Sequence, residues 1–520
     1  MKRYYCMIWL IAVWPLFLLG QRIQPSDLEY MGSFRLPDGS GGSDWNYSGT
    51  AMTYYPDGDP GGPDDGFPGS IFAVGHDQQM MLSEISIPDP IISSTKNTEE
   101  LSMTQTLQSF QDIRNSNYAF VDPYNIPVMG LAYLPAQGTQ TSGKLHFCWG
   151  QHIQFQDPSH GWCELNLSNP QTAGPWHFGN YNNYTTSDFL FEIPTTWADH
   201  YAPGQILASG RFREGVWSGF GPSLFACAPW EDGNPPSTGE TLHHITLLLR
   251  YGTDDPSIAE IVTSENMKMQ DYNMVDDWSG GAWLTADQSS AVIFVGTKGF
   301  GEDWYGFSDG TVWPYEGPYP PVPAEPHNQR GFWAERIEGR IVFYDPIDFG
   351  KVAQGSAQSY EPQPYATFNL DPFLYDPGYD YYAQKIHLLG ACCYDRQRNF
   401  LYIIERLADE DKSLIHVFHI RGDGTSVRTE FNPLEYRLLQ NYPNPFNEKT
   451  VVRYQLSEGS RIEINLLDLR GREVTSVFQG YKPAGEHRLV IDAKELISGI
   501  YFIQLVTGEK RFNHKMILIR

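Results

Sequence analysis

Residues 130–170 read GLAYLPAQGTQTSGKLHFCWGQHIQFQDPSHGWCELNLSNP. Three short runs, GLAYLP, KLHFCWG and WCELNLS, are rich in apolar, aromatic and β-branched residues and are parted by clusters of Gly, Pro, Asn, Asp and Ser. Such runs are too short for helices, which need ten or more periodic residues, and they predict three antiparallel strands. One small sheet cannot bury both of its faces. The same unit recurs along the chain, so each sheet is expected to cover its neighbour in a radial array, a β-propeller.

First strands are expected at GTAMTYYP (49–56), GLAYLP (130–135), SDFLFEIP (187–194), GGAWLTAD (280–287) and HLLGACCYD (387–395). Second strands follow as SIFAVG, KLHFCWG, QILASG, AVIFVG and FLYIIE, and third strands as MLSEISIP, GWCELNLS, SLFACAPW, GRIVFYDP and LIHVFHI. QTLQSFQDI, GPWHFGNY, HITLLLRY and PYATFNLD supply fourth strands to the first four units, and the fifth has none downstream. LEYMGSFRLP at 28–37, stranded ahead of the first repeat, is expected to fill that place and remove an exposed edge. The count predicts five blades, or six if an insertion hides a strand.

The remainder of the 520 residues sets the context. Residues 1–20 carry Lys2 and Arg3 and then a short apolar run, the pattern of a secretory signal and not of a membrane span. The chain is therefore expected to be exported, with residues 21–420 as the propeller, 421–435 as a linker and 436–520 as a second domain. The net charge is −26, and removing the signal's net +2 and the tail's net +4 leaves about −32 on the body. Phosphate backbones and anionic bilayers repel such a surface, which excludes nucleic acid and membrane as partners. Of six cysteines five lie beyond the signal, so disulfides are not the framework, although Cys148 and Cys163 on adjacent strands could pair. No spacing resembles a zinc site, and P-loop, GxSxG and HExxH motifs are missing. No cofactor is expected. The acidic turn from Asp57 to Asp65 lacks the EF-hand pattern, and a Ca²⁺ there would be structural.

In a propeller the starts of the first strands share one face with the ends of the second strands, and function is expected there. The second strands end in GHD, GQH, GRFRE, GTKG and ERL, which gathers His76, His152, Arg211, Lys298 and Arg406 around the axis with Gln151 beside them. Two related stretches, Asp44-Trp45 before the first unit and Asp277-Trp278 before the fourth, offer carboxylates for acid–base work and flat rings for stacking on a sugar. Equally, each Trp could pack on the adjacent blade while its Asp caps a turn. His387 stands at the start of the fifth unit, as a site residue or a satisfied core histidine. Between Phe300 and Arg336 the fourth unit holds a long aromatic insertion, including Trp304 and Trp313, expected to be a structureless lid or platform over that face.

Beyond a linker the sequence QNYPNPFN (440–447) resembles the opening of the carboxyl-terminal sorting domain of the type IX (Por) secretion system of Bacteroidetes and related phyla. The resemblance continues through IEINLLDLRGREV, AGEHRLVID, SGIYFIQLVTGEKR and the final KMILIR; Glu448 and Lys449 depart from the small residues and Pro often found there. It implies recognition by the outer-membrane translocon and delivery, through the periplasm, to the surface or the medium. Short alternating strands broken by Gly471, Gly480, Gly485 and Gly499 independently predict a small immunoglobulin-like β-sandwich. Taken together, the residues predict an all-β, five-bladed propeller followed by that sandwich. Its axial mouth is expected to bind or act on an anionic polysaccharide. His76 or His152, with Asp44 and Asp277, would move protons, and Arg211, Lys298 and Arg406 would neutralise uronates. A glycoside hydrolase, a polysaccharide lyase and a non-catalytic adhesion module all remain open.

Overall fold

The computed structural model describes residues 21–59, 67–118, 128–150, 157–213, 219–252, 267–376, 387–422 and most of 437–519. Residues 1–20, the expected signal, residues 423–436, Gln151, His152 and the 60–66 part of the acidic turn lie outside the described residues. The protein is all-β, with several separate open sheets.

Sheet one contains Met52–Tyr55, Ser70–Val74, Leu82–Ser86 and Thr106–Gln111 in that order. Sheet two contains Val128–Leu134, Lys144–Gly150, His160–Cys163 and Ala173–Phe178, with Thr241–Leu242 added in parallel at its edge. Phe189–Glu192, Leu207–Arg211, Ser223–Cys227 and Ile245–Leu249 make sheet three; Asp277–Ala286, Ser289–Gly306, Gly331–Tyr344 and Ala366–Asn369 make sheet four. Sheet five is formed by Leu389–Asp395, Phe400–Asp409 and Lys412–Ile420, and its fourth strand is Leu28–Arg35 from the other end of the chain. That strand runs antiparallel to Lys412–Ile420, with Leu28 opposite Ile420 and Arg35 opposite Leu414.

Alternation along the second strands explains why they read as unbroken apolar runs. In sheet one, Ile71 and Ala73 join a core shared with sheets four and five, while Phe72 and Val74 join a core shared with sheet two. In sheet four, Ile293 and Val295 face the first of these cores, and Val292 and Phe294 face a third, shared with sheets two and three. Both faces of each strand are therefore dry, the condition that replaces an apolar–polar alternation with a continuous run. The first strands of sheets one and two are in contact, as are those of two and three, three and four, four and five, and five and one. Glycine sets how near they come. A Cβ on Gly390 would lie 2.1 Å from the Gly49 carbonyl oxygen, and one on Gly280 would lie 2.9 Å from the Gly390 oxygen.

Two expectations need correction, and the open question of a Cys148–Cys163 pair is answered. Phe300–Arg336 is not a structureless lid, because the two central strands of sheet four extend beyond the sheet to Gly306 and from Gly331, so most of the insertion's base is a β-hairpin. Its facing aromatic and β-branched residues satisfy the backbone by continuing the ladder, with Trp304 opposite Trp333 and Tyr305 opposite Phe332. Cys148 and Cys163 are free thiols. Cys148 stands opposite His160, whereas Cys163 stands opposite Leu145, a register that sets the two apart along the strands. Trp45 and Trp278, expected as sugar platforms, are buried at 1% and 0% exposure.

The tail forms two sheets. One holds Arg437–Leu438, Lys449–Leu456 and Gly485–Asp492; the other holds Glu473–Lys482, Ser460–Leu467, Gly499–Thr507 and Lys510–Leu518. Their common core includes Val452, Tyr454, Ile464, Ile503 and Met516.

Candidate functional site

The two Asp-Trp stretches have a common structural cause. Gly75 directly follows the second strand of sheet one and Gly296 lies within that of sheet four, and the chain at the start of the first strand crosses directly over each glycine. A Cβ would meet the Asp44 carbonyl oxygen at 2.5 Å and the Asp277 carbonyl oxygen at 1.7 Å. Each following Trp drops into the core, Trp45 against Phe110 with ring centroids 4.7 Å apart. In both places the motif is a crossing device that fixes an aspartate where a first strand begins. Asp44 there accepts from the Asn46 amide at 2.9 Å, while its backbone carbonyl accepts from the His76 amide at 2.9 Å.

Asp277 is the more consequential of the pair. Its carboxylate forms an ion pair with His387 Nδ1 at the start of sheet five and accepts a hydrogen bond from the Ser279 hydroxyl at 2.8 Å. Burial pushes this carboxyl up, but His387, Ser279 and Arg213 outweigh it and bring it down to about 2. Asp188, at the start of sheet three, goes the other way. Burial pushes it up to about 7 against the pull of Arg211, with the Asp277 charge adding to the rise. Two carboxyls at one site are thus driven to opposite protonation states, the arrangement that separates an acid from a base.

Three guanidinium groups complete the cluster. Arg211 is buried at 1% exposure and donates from Nη1 to the Ser187 carbonyl at 3.1 Å. Arg213 donates from Nη2 to the carbonyls of Met274 and Asp276 at 2.7 and 3.2 Å. Arg406, whose stem fits beside Gly49, has an enclosed Nε with no hydrogen-bond partner among the described residues. Burial lowers its affinity for a proton, against the attraction of Asp77 and Asp277. His76 lies 3.4 Å from Asp77 Oδ1 through Nδ1, with Tyr47 5.6 Å away edge-on. His76 and Asp77 of sheet one, Asp188 and Arg211 of sheet three, Asp277 of sheet four and His387 and Arg406 of sheet five therefore form one electrostatically linked cluster.

Other candidate residues sit elsewhere. Lys298 is on the opposite face of its strand from Thr297: the Thr297 hydroxyl accepts from the Leu388 amide, while the Lys298 ammonium pairs with buried Asp276 at 3.0 Å. It lines a separate groove of about 560 Å³ with Tyr272, Phe300 and Arg340. Trp304 donates to the Phe307 carbonyl at 2.9 Å, and Trp313 stacks on Tyr319 at 4.8 Å with Arg330 above it, so the hairpin's rings pack largely on one another. At the hairpin base Asp303 accepts from the Met274 amide at 3.0 Å, and Arg213 lies 5.7 Å over the Phe332 ring. Among the described residues no group of His, Cys, Asp and Glu could hold a metal ion. Asp188 escaped sequence reasoning because its only signal is its place, directly before an apolar first strand.

Residues 440–519 match the family model for a secretion system C-terminal sorting domain. The tail is a type IX sorting domain. Within the QNYPNPFN opening, Asn444 Oδ1 accepts from the Ile517 amide at 2.8 Å and Phe446 is buried at 3%. The protein is accordingly a type IX cargo, bound for the cell surface or the medium and handled by that machinery. No helix among the described residues of this cargo is long and apolar enough to cross a membrane. A search of curated proteins finds no match to the chain.

Proposed function

We propose that residues 21–420 form a five-bladed β-propeller whose axial mouth, at the start of the first strands, takes a carboxylated polysaccharide outside the cell. The cyclic contact of five first strands and the dry cores on both faces of the second strands support the architecture. The observation that carries the ligand class is Arg406, whose enclosed Nε has no hydrogen-bond partner among the described residues and whose charge is drawn toward Asp77 and Asp277 on a strongly acidic body. A buried donor left unmatched costs about 1–3 kcal/mol, and an incoming carboxylate removes that cost with a charge-assisted bond.

The same cluster supports a catalytic form of the reading. His387, oriented by Asp277 as imidazoles are in acid–base pairs, replaces His76 as the preferred proton-transfer group, and Asp188 holds a proton to return. Neutralisation of a uronate by Arg406 makes its α-proton easier to remove, the requirement of a polysaccharide lyase. The test is a panel of uronate-containing and neutral polysaccharides offered to the whole protein. Uronate polymers should bind, and Arg406→Ala should weaken binding by about 1.5–3 kcal/mol. Unsaturated products identify the lyase, and binding with no product leaves an adhesion module. Equal binding of neutral polymers would remove the case for an anionic ligand.

A further inference from the structure

The axis has two compartments. Midway along it the first strands leave a space of only about 10 Å³, lined by Thr50–Met52, Gly130, Leu131, Asp188–Leu190, Gly280, Gly281, Ala391 and Cys392. Beyond that constriction, toward the carboxyl ends of the first strands, the axis opens into a cavity of about 400 Å³ lined by residues of all five sheets. The volume lies within the range of small-molecule sites, about 300–1,000 Å³. The constriction isolates this cavity from the charged mouth at the other end.

The chemistry of its walls is specific. Tyr54, Tyr133, Phe191 and Tyr394 contribute rings; Asp57, Glu192 and Arg396 contribute charges, and the lining Asp395 is taken up by Arg398 at 3.3 Å. Arg396 is already committed, donating from Nε to Glu192 Oε2 at 3.1 Å, from Nη1 to the Thr285 hydroxyl at 3.0 Å and from Nη2 to the Glu192 carbonyl at 3.1 Å. It therefore offers a ligand little positive charge. Asp57 is exposed and has no ion-pair partner among the described residues. Both carboxylates lie near the Tyr133 hydroxyl, which burial, followed by Tyr55, Asp57 and Glu192, pushes up to about 12.

The walls are also held in place. Arg396 ties sheet five to sheets three and four, and the Tyr133 amide donates to the Thr53 hydroxyl at 2.8 Å, tying sheet two to sheet one. The turn that presents Asp57 needs Gly58, where a Cβ would fall 1.8 Å from Ser70 Oγ. Beside the aromatic rings, the exposed Asp57 carboxylate and the Glu192 Oε1 that Arg396 does not take, with the lining's cation spent, form a receptor for a donor-rich cation.

We propose that this second axial cavity binds a small organic cation bearing a primary ammonium group, with Asp57 and Glu192 receiving the ammonium and Tyr133 contributing its ring. Two sources carry that chemistry, an amino sugar and an aliphatic amine. The experiment titrates the full chain near pH 7 with glucosamine, putrescine, glucose and glucuronate by calorimetry. Glucosamine or putrescine should bind, whichever does so naming the source, with glucose at least about tenfold weaker and glucuronate silent. Asp57→Asn, at an exposed position, should lower the ammonium affinity about tenfold, and Glu192→Gln, checked for unchanged melting, should do the same. Failure of both amines to bind, glucose binding as well as they do, or an Asp57→Asn protein of unchanged affinity would each overturn the assignment. None of these outcomes depends on whether the opposite mouth takes a uronate.

Discussion

At the scale of single residues, Asp188 is the carboxyl that departs furthest from its ordinary state among the described residues. An unfolded aspartate ionises near 3.9, whereas burial holds Asp188 protonated to about 7. Below pH 4 both states carry the proton and nothing is lost. Between 4 and 7 the unfolded chain ionises while the folded one resists, so stability falls as pH rises, by at most about 1.4 kcal/mol per unit. Asp188→Asn can still accept from the Phe212 amide, which Asp188 Oδ2 does at 2.9 Å, and it cannot ionise. Thermal melts from pH 4 to 8 should show the variant gaining on the parent as pH rises; parallel curves would mean that Asp188 is ionised throughout. Asp277 carries the opposite sign. Its carboxyl, brought down to about 2, contributes stability above its unfolded value that is lost as pH falls from about 4 toward 2.

At the scale of elements, the strand Leu28–Arg35 separates a complete fifth sheet from one with an open edge. Its Phe34 is fully buried, in the core that also holds Ile415 and Val417 of the strand it joins. Phe34→Ala should destabilise the protein by about 3–5 kcal/mol in denaturant titrations while leaving the charged mouth chemically unchanged. A cost under about 1 kcal/mol would mean that sheet five does not depend on this strand. The strand was legible in the sequence because an orphaned apolar run ahead of the repeats matched a unit lacking its fourth strand. The Trp45 and Trp278 rings were misjudged for an equally local reason: sequence shows a Trp beside an Asp, but only the close crossing over Gly75 and Gly296 shows that the ring must point inward. The β-hairpin around Trp304 was hidden by its many prolines and glycines, which mark its tip and mask the ladder at its base. The pairing of Asp277 with His387 joins positions 110 apart on different sheets, and no local periodicity records such a contact.

At the scale of the whole molecule, the sorting domain has its own core and its own two sheets, so delivery and ligand binding should separate. A chain ending at Gly422 should fold, melt near the temperature of residues 21–422 within the full protein and retain its ligands, yet stay undelivered in a type IX host. Normal export of that chain, followed by surface immunoblotting, would contradict the role of the tail.

The position of the last strand before the tail bears on how the molecule carries load. Lys412–Ile420 is not the edge of sheet five, since it lies between Phe400–Asp409 and Leu28–Arg35 and is bonded to both. When the tail is held and flow drags on the body, tension enters at Ile420. An outermost strand would peel away one bond at a time from a single neighbour. This one has to slide against two ladders together, one of them made by residues near the other end of the sequence, so load entering at Ile420 must break both ladders at once.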